Sequence, residues 1–265
     1  MVLNKIFVII DPTVENQRAF DRALQSAHMT GTRLHIYACL NEEVADGEQA
    51  AAEAAMEQQL EALIQQCEDV GVEAAAEQEW AQDWSQQAVR AAARCGASMI
   101  FKSSYEHSAV QRELRPTSDF TLLRLSSCPV LLVKDKHDWS SRRVLAAINS
   151  QSTDDAHVKL NNLIISFAQN FTDAFGSDAH FINAFQGANH PPDESQLAAM
   201  CGAPPEHVHV VKGATAKVIS ATAGELDVDL IIIGTVGRSG LKGRVVGNTS
   251  EKILDHTGAD ILVVN

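Results

Sequence analysis

Short apolar runs, each bounded by polar or turn residues, occur twice along this chain in the same order, and that repetition narrows the available folds more than any other feature. Lys5-Ile-Phe-Val-Ile-Ile-Asp11 is answered by Arg143-Val-Leu-Ala-Ala-Ile-Asn149, and Leu34-His-Ile-Tyr-Ala38 by Ala179-His-Phe-Ile-Asn-Ala184. Ser98-Met-Ile-Phe-Lys102 is answered by Asp229-Leu-Ile-Ile-Ile233, and Cys128-Pro-Val-Leu-Leu-Val133 by Ala259-Asp-Ile-Leu-Val-Val264. Such runs read as strands buried on both faces.

Helix-period stretches separate the runs. Residues 16–30 place Ala19, Phe20, Ala23, Leu24 and Ala27 on one face, and Gly31 can close the helix. Residues 48–70, rich in Ala, Glu and Gln, stop at Gly71, and 83–94 stop before Gly96. In the second half, 157–175 form a long helix before Gly176, while the proline-broken stretch 186–202 leaves room for a short one. The first helix has therefore grown in the repeat and the second has shrunk. Strands alternating with helices imply a parallel sheet with right-handed crossovers and helices on both faces. Five strands per half suit the doubly wound order 3-2-1-4-5, whose ligand crevice opens beyond the C-terminal ends of the first and fourth strands. Candidate site residues should then follow Ile10 or Ile148, and Lys102 or Ile233. The length, 265 residues, accommodates two domains of about 130. The charged stretch 134–141 marks their join, which gives domains 1–137 and 138–265.

The formal net charge of −13 sets the chain against phosphate backbones and anionic lipid, so neither nucleic acid nor membrane is expected as a partner. A nucleotide remains open, because backbone N–H groups and helix N-termini supply local positive potential. No apolar run approaches the ~20 residues of a bilayer span. The opening run lacks a basic leader and ends at Asp11 and Pro12, as a buried strand does and a signal peptide does not. Five cysteines without paired spacing point to a reducing compartment and against structural zinc. The expected location is cytoplasmic.

The strand ending at Ile233 runs into Gly234-Thr235-Val-Gly237-Arg238-Ser-Gly240-Leu-Lys242-Gly243-Arg244-Val-Val-Gly247-Asn248-Thr249-Ser250, with a helix expected over 249–256. Glycines let backbone approach a ligand closely. Asn248 suits a helix N-cap, and Thr249 and Ser250 add hydroxyls beside it. Free N–H groups at that helix start, with the macrodipole, favour a phosphate. Arg238, Lys242 and Arg244 concentrate positive charge in an acidic chain. A flexible surface turn would have a similar composition, but the placement between a buried strand and a helix, at the switch point, favours a phosphate site.

Gly234-x-x-Gly237, nine residues, then Gly247-Asn248 resembles the G-2x-G-9x-G-[S/T/N] signature of ATP-binding universal stress proteins. The strand starts at Ile6 and Val144, Cys128-Pro129-Val130 and the terminal Ile-Leu-Val-Val fit the same family, and the layout resembles its tandem, E-type members. The resemblance implies two Rossmann-like, adenine nucleotide alpha hydrolase-like domains, a stress-response role and association through the last strand. It also implies ATP, with or without Mg²⁺, as ligand, with phosphate contacts from Gly234, Gly237, Gly247, Asn248 and Thr249. Thr235, Arg238 and Ser250 complete the candidate set, together with Asn149, which stands where the family carries an acidic residue against the nucleoside.

The first half departs from this pattern. Ser103 stands at the place of Gly234, Glu106 at Gly237, Pro116 at Gly247 and Thr117 at Asn248. A carboxylate repels an anion and proline has no N–H to donate, so this half reads as a degenerate site. Asp11, conversely, keeps the carboxylate that Asn149 lacks. His207 and His209 share a strand face without a third ligand at suitable spacing and are expected to be exposed. Trp80 and Trp84 are expected to cap the core. No nucleophile–base pair or Walker lysine motif is present.

These features predict a nucleotide-binding stress-response regulator without catalytic residues, ligand in the second domain. A weak or self-phosphorylating ATPase, and a carrier of a non-nucleotide ligand in the first-domain crevice, are the alternatives. The apolar last strands, Val130–Val133 and Ile261–Val264, need covering. Their antiparallel pairing within the chain is the expected solution, with a homodimer as a further level of assembly.

Overall fold

A computed structural model describes residues 3–45, 48–104, 118–134, 139, 141–187, 191–235, 253 and 257–265. The chain divides into two compact units, Val2–Val133 and Lys134–Asn265. The expected join at 137/138 falls among residues 135–138, outside the described residues.

In the first unit the elements run β1 (Lys5–Ile10), α1 (Arg18–Thr30), β2 (Arg33–Leu40), α2 (Glu42–Ala45), α3 (Gln49–Asp69), β3 (Ala74–Trp80), α4 (Trp84–Cys95), β4 (Met99–Ser103), α5 (Ser118–Leu125) and β5 (Val130–Val133). Parallel pairings of β3 with β2, β2 with β1, β1 with β4 and β4 with β5 give the order 3-2-1-4-5. The second unit runs β6 (Arg143–Ala147), α6 (Asp155–Phe175), β7 (Asp178–Phe185), α7 (Glu194–Cys201), a 3-10 turn (Pro205–His207), β8 (Val208–Lys212), α8 (Thr215–Glu225), β9 (Leu230–Gly234) and β10 (Asp260–Val264). Its parallel pairings, β8 with β7, β7 with β6, β6 with β9 and β9 with β10, repeat the order.

Local chemistry explains the element ends. Gly31, Gly96, Gly176 and Gly202 each follow a helix in the left-handed conformation, where a side chain would be strained. Asp83, Asp154 and Asp193 cap helix N-termini by accepting backbone N–H groups. The long helix of the second unit starts two residues before the expected position because Asp154 supplies that cap. Helix lengths follow the sequence reading: α1 has 13 residues against 21 in α6, and α3 has 21 against 8 in α7.

The central strands form the cores. Ile6, Phe7, Val8, Ile100, Leu145, Ile231 and Ile232 are fully buried, each contributing about 1.5–3 kcal/mol. The small residues Ala19, Ala23 and Ala27 are buried on the inner face of α1 and let it lie close to its sheet. The outer strands β3 and β8 are more exposed, as edges that must stay soluble are.

Asp260, fully buried at the start of β10, accepts from the backbone N–H of Lys134 at 2.8 Å and from Trp139 Nε1 at 2.9 Å. The Trp139 ring lies edge-on to Phe171 and Phe175. This carboxylate thus ties the start of the second unit to its last strand. Asp260→Ala strands both donors and should lower stability by about 2–3 kcal/mol, measured as a shift in the denaturant midpoint.

Candidate functional site

In each unit the strand order reverses between the first and fourth strands, and a crevice opens beyond their C-terminal ends. In the second unit this point lies between β6 and β9, paired through Val144–Leu230, Leu145–Ile231 and Ala146–Ile232. Asn149 lies just beyond β6, Gly234 ends β9 and Thr235 follows it.

The Asn149 backbone is held by Asn161, a buried residue of α6. Asn161 Oδ1 accepts from the Asn149 N–H at 3.1 Å, and Asn161 Nδ2 donates to the Asn149 carbonyl at 2.9 Å. The Asn149 residue itself is exposed. Next to it, Asn183 Oδ1, on β7, accepts from the Ser150 N–H at 2.7 Å and the Ser150 hydroxyl at 2.8 Å.

The first unit solves the same problem with Gln17. Its Oε1 accepts from the Asp11 N–H at 3.0 Å and its Nε2 donates to the Asp11 carbonyl at 2.7 Å. The Asp11 carboxylate accepts from the Thr13 N–H at 2.9 Å and the Thr13 hydroxyl at 2.6 Å. It is thus already engaged in a local turn.

Gly234 has a reason beyond backbone approach to a ligand. A Cβ there would come within 2.5 Å of Leu160 Cδ2 and 2.6 Å of Leu160 Cγ, so α6 lies where only glycine fits. Thr235 is buried, and its N–H donates to the Val264 carbonyl at 2.8 Å. This N–H is therefore spent on β10 rather than offered to a ligand. Gly237, Arg238, Gly247, Asn248, Thr249 and Ser250 lie outside the described residues. The N-terminus of α6 carries its own acid. Asp154 accepts from the Ser152 hydroxyl and the His157 N–H, and these bonds hold its carboxyl down at about 2. This carboxylate thus brings negative charge to the helix start, which works against an added anion.

At the equivalent mouth of the first unit, the position of Gly234 is filled by Ser103, whose hydroxyl accepts from the Ala19 N–H of α1 at 3.1 Å. Lys102 Nζ lies 2.8 Å from Asp119 Oδ1, donates to the Ser103 carbonyl at 2.7 Å and sits 5.6 Å from the Trp84 ring centroid. The Ser104 hydroxyl donates to Asp119 Oδ2 at 2.6 Å. Asp119 lies in the first turn of α5, in line with Ser250 of the second half. The chain's own carboxylate thus stands at a helix start that a phosphate would otherwise favour, neutralised by Lys102. Sequence reasoning reads this half only as a degenerate site and misses this pair. The signal was a lysine at the end of an otherwise apolar strand.

The expected exposed pair His207 and His209 needs correction. His207 belongs to the 3-10 turn, His209 to β8, and both are half-buried with His180 of β7 against them. The β7–β8 register brings in this third imidazole. Among the described residues no group of three His, Cys, Asp or Glu is arranged to hold a metal, and no helix is long and apolar enough to cross a membrane.

A family model described as the universal stress protein family matches residues 3–134 and 178–265. Universal stress protein E of Escherichia coli K12 is 24% identical over 64% of this chain, a match that spans 61% of that relative's length. The Photorhabdus laumondii protein of the same name is 24% identical over 98% of this chain and 94% of its own. Among solved structures, a functionally unknown protein of Pseudomonas aeruginosa PAO1 is similar at 27% identity and TM-score 0.79, covering 99% of this chain and 92% of its own. A universal stress protein of Archaeoglobus fulgidus shares the fold at TM-score 0.77 and 19% identity, over 99% and 96% of the two chains.

Two substitutions test the packing of the mouths. Gly234→Ala should cost about 1–3 kcal/mol of stability by overpacking, and Leu160→Ala in the same chain should recover part of it. Lys102→Met should cost about 3–5 kcal/mol by removing the cation 2.8 Å from the buried Asp119 carboxylate, whereas Lys102→Met with Asp119→Leu should be far milder. Urea midpoints of single and double variants check both.

Proposed function

The chain belongs to the universal stress protein family, and from that premise we propose that its second unit is a nucleotide-binding regulatory module with ATP or a related phosphorylated compound as ligand. The observation that carries this reading is the contrast between the mouths. The first unit fills its own with the Lys102–Asp119 pair, Ser103 and Ser104. The second has Ile233, Gly234 and Ser250 at the places of Lys102, Ser103 and Asp119, and presents an exposed Asn149 on a fixed backbone.

In this reading Gly237, Gly247 and Asn248 offer backbone N–H groups to phosphates, Thr249 and Ser250 add hydroxyls, and Arg238 adds charge. Gly234 and Thr235 end the strand and launch the loop. Asn149 faces the nucleoside and supplies a donor and an acceptor where a carboxylate would only accept. The proposed setting is the cytoplasm, with association through the apolar last strands of each unit.

Calorimetric titration with ATP, with and without Mg²⁺, tests the reading. Binding in the micromolar range, about −8 kcal/mol, should disappear in Gly247→Pro, which removes an N–H from the loop. Asn149→Asp should change affinity by a factor of about three to ten through a changed nucleoside contact. No heat of binding in the folded wild-type protein would overturn the proposal.

A further inference from the structure

Three histidines of the second unit, His180, His207 and His209, meet on its outer edge. His180 Nδ1 lies 3.2 Å from His209 Nε2. The His180 ring packs on His207 at 4.3 Å between centroids, with planes 31° apart, and on His209 at 5.4 Å. His180 is only 8% exposed. The rings stack rather than converge on one point, so their shared chemistry is the proton.

A hydrogen bond between two imidazoles needs one N–H and one bare nitrogen. With both rings protonated, two N–H groups face each other at that distance, and a charged His207 adds a third like charge. The other charged groups near the cluster do not relieve this. Asp178 of β7 favours a charged His180 and Arg143 of β6 opposes it, while Glu194 of α7 and Glu225 of α8 favour a charged His209. Burial, followed by His207 and His209, nevertheless holds His180 down at about 4. Burial and His207 hold His209 below the ordinary histidine value.

The first unit treats the same place differently. His35 pairs with Phe7 as His180 pairs with Leu145, and Glu77 stands opposite Tyr37 as His209 stands opposite Ile182. His35 Nε2 lies 3.0 Å from Glu77 Oε1, which Arg94 also contacts at 3.1 Å. A carboxylate accepts from a neutral or a charged imidazole alike, whereas a second imidazole does not.

We propose that His180 and His209, with His207 packed against His180, form an acid-sensitive latch: with His180 and His209 neutral, β7, β8 and the 3-10 turn hold together, and protonation of those two rings opens this outer edge. The folded form binds fewer protons than the open form between the ordinary histidine value of 6.5 and about 4. Stability of the edge is therefore full above that window and declines as pH falls through it. Across the whole window the opening equilibrium rises on the order of 100-fold. No ligand enters this device.

The test is amide hydrogen exchange at Val208–Lys212 in the full chain, corrected for intrinsic rates, at pH near 7.5 and near 5. In the wild type, protection of these amides should fall by about tenfold or more, while β1 and β2 keep theirs. His209→Glu, which copies the His35–Glu77 arrangement, should reduce the change to less than about twofold. Unchanged protection of β8 in the wild type would overturn the latch. Imidazole proton NMR of the wild type decides the matter without any variant. A His180 that stays neutral until the β8 amides lose protection supports the latch; one that titrates near its ordinary value with β8 still protected overturns it.

Discussion

A strand that stops inside a parallel sheet covered on both faces leaves its last peptide groups without ladder partners and shielded from water. Each unmet group costs about 1–3 kcal/mol. Both units meet this constraint at the switch point with a side-chain amide, which offers a donor and an acceptor in one plane. Gln17 closes on Asp11 just ahead of α1, and Asn161 closes on Asn149 from within α6. Because these clamps fix the backbone where the chain leaves the sheet, they also fix where the side chains of Asp11 and Asn149 begin and where the following helix can start.

With the mouth fixed in this way, its chemistry depends on a few neighbouring side chains. In the first unit a lysine at the end of β4 brings a charge into a nearly enclosed place, and desolvation makes that untenable without a close partner. Asp119 supplies it, while the Ser103 carbonyl, the Ser104 hydroxyl and the Trp84 ring saturate what remains. In the second unit the same strand ends in Ile233 and Gly234, with Leu160 pressed against the glycine. That floor is apolar, and Asp154 already places a carboxylate at the N-terminus of α6. An anion at this mouth depends on the segment after β9, where the sequence concentrates glycine, arginine and lysine.

The parts legible in the sequence were those governed by local rules. Unbroken apolar runs gave the buried strands, and Gly31, Gly96, Gly176 and Gly202 sit where a left-handed residue ends a helix. The unequal helix lengths of the two halves were also readable from the spacing of strands and stop signals. What stayed hidden depended on distant partners. Asn161 resembles any polar helix residue until Asn149 is placed beside it, and Asp119 resembles an ordinary first-turn acid until Lys102 arrives from another strand. His180 joins His207 and His209 only through the β7–β8 register. Gly234 was recognised as a glycine that matters, yet Leu160, 74 positions earlier, gives a packing reason that spacing could not reveal.

Two copies of one fold in a single chain separate what the fold requires from what it leaves free. The amide clamp recurs although it is drawn from different distances along the chain, because the unmet peptide groups recur. Glycine caps and the buried first and fourth strands recur for the same reason. Lys102 against Ile233 and Glu77 against His209 differ at equivalent places in equally well-formed sheets, so backbone architecture dictates neither of them. These are the positions where charge, hydrogen-bonding capacity and protonation can change while the sheet stays intact. One copy has closed its mouth with an internal ion pair and given its outer histidine a carboxylate. The other has an apolar floor at its mouth and an outer edge built on packed imidazoles, and in that copy binding and response to pH have the most room to act.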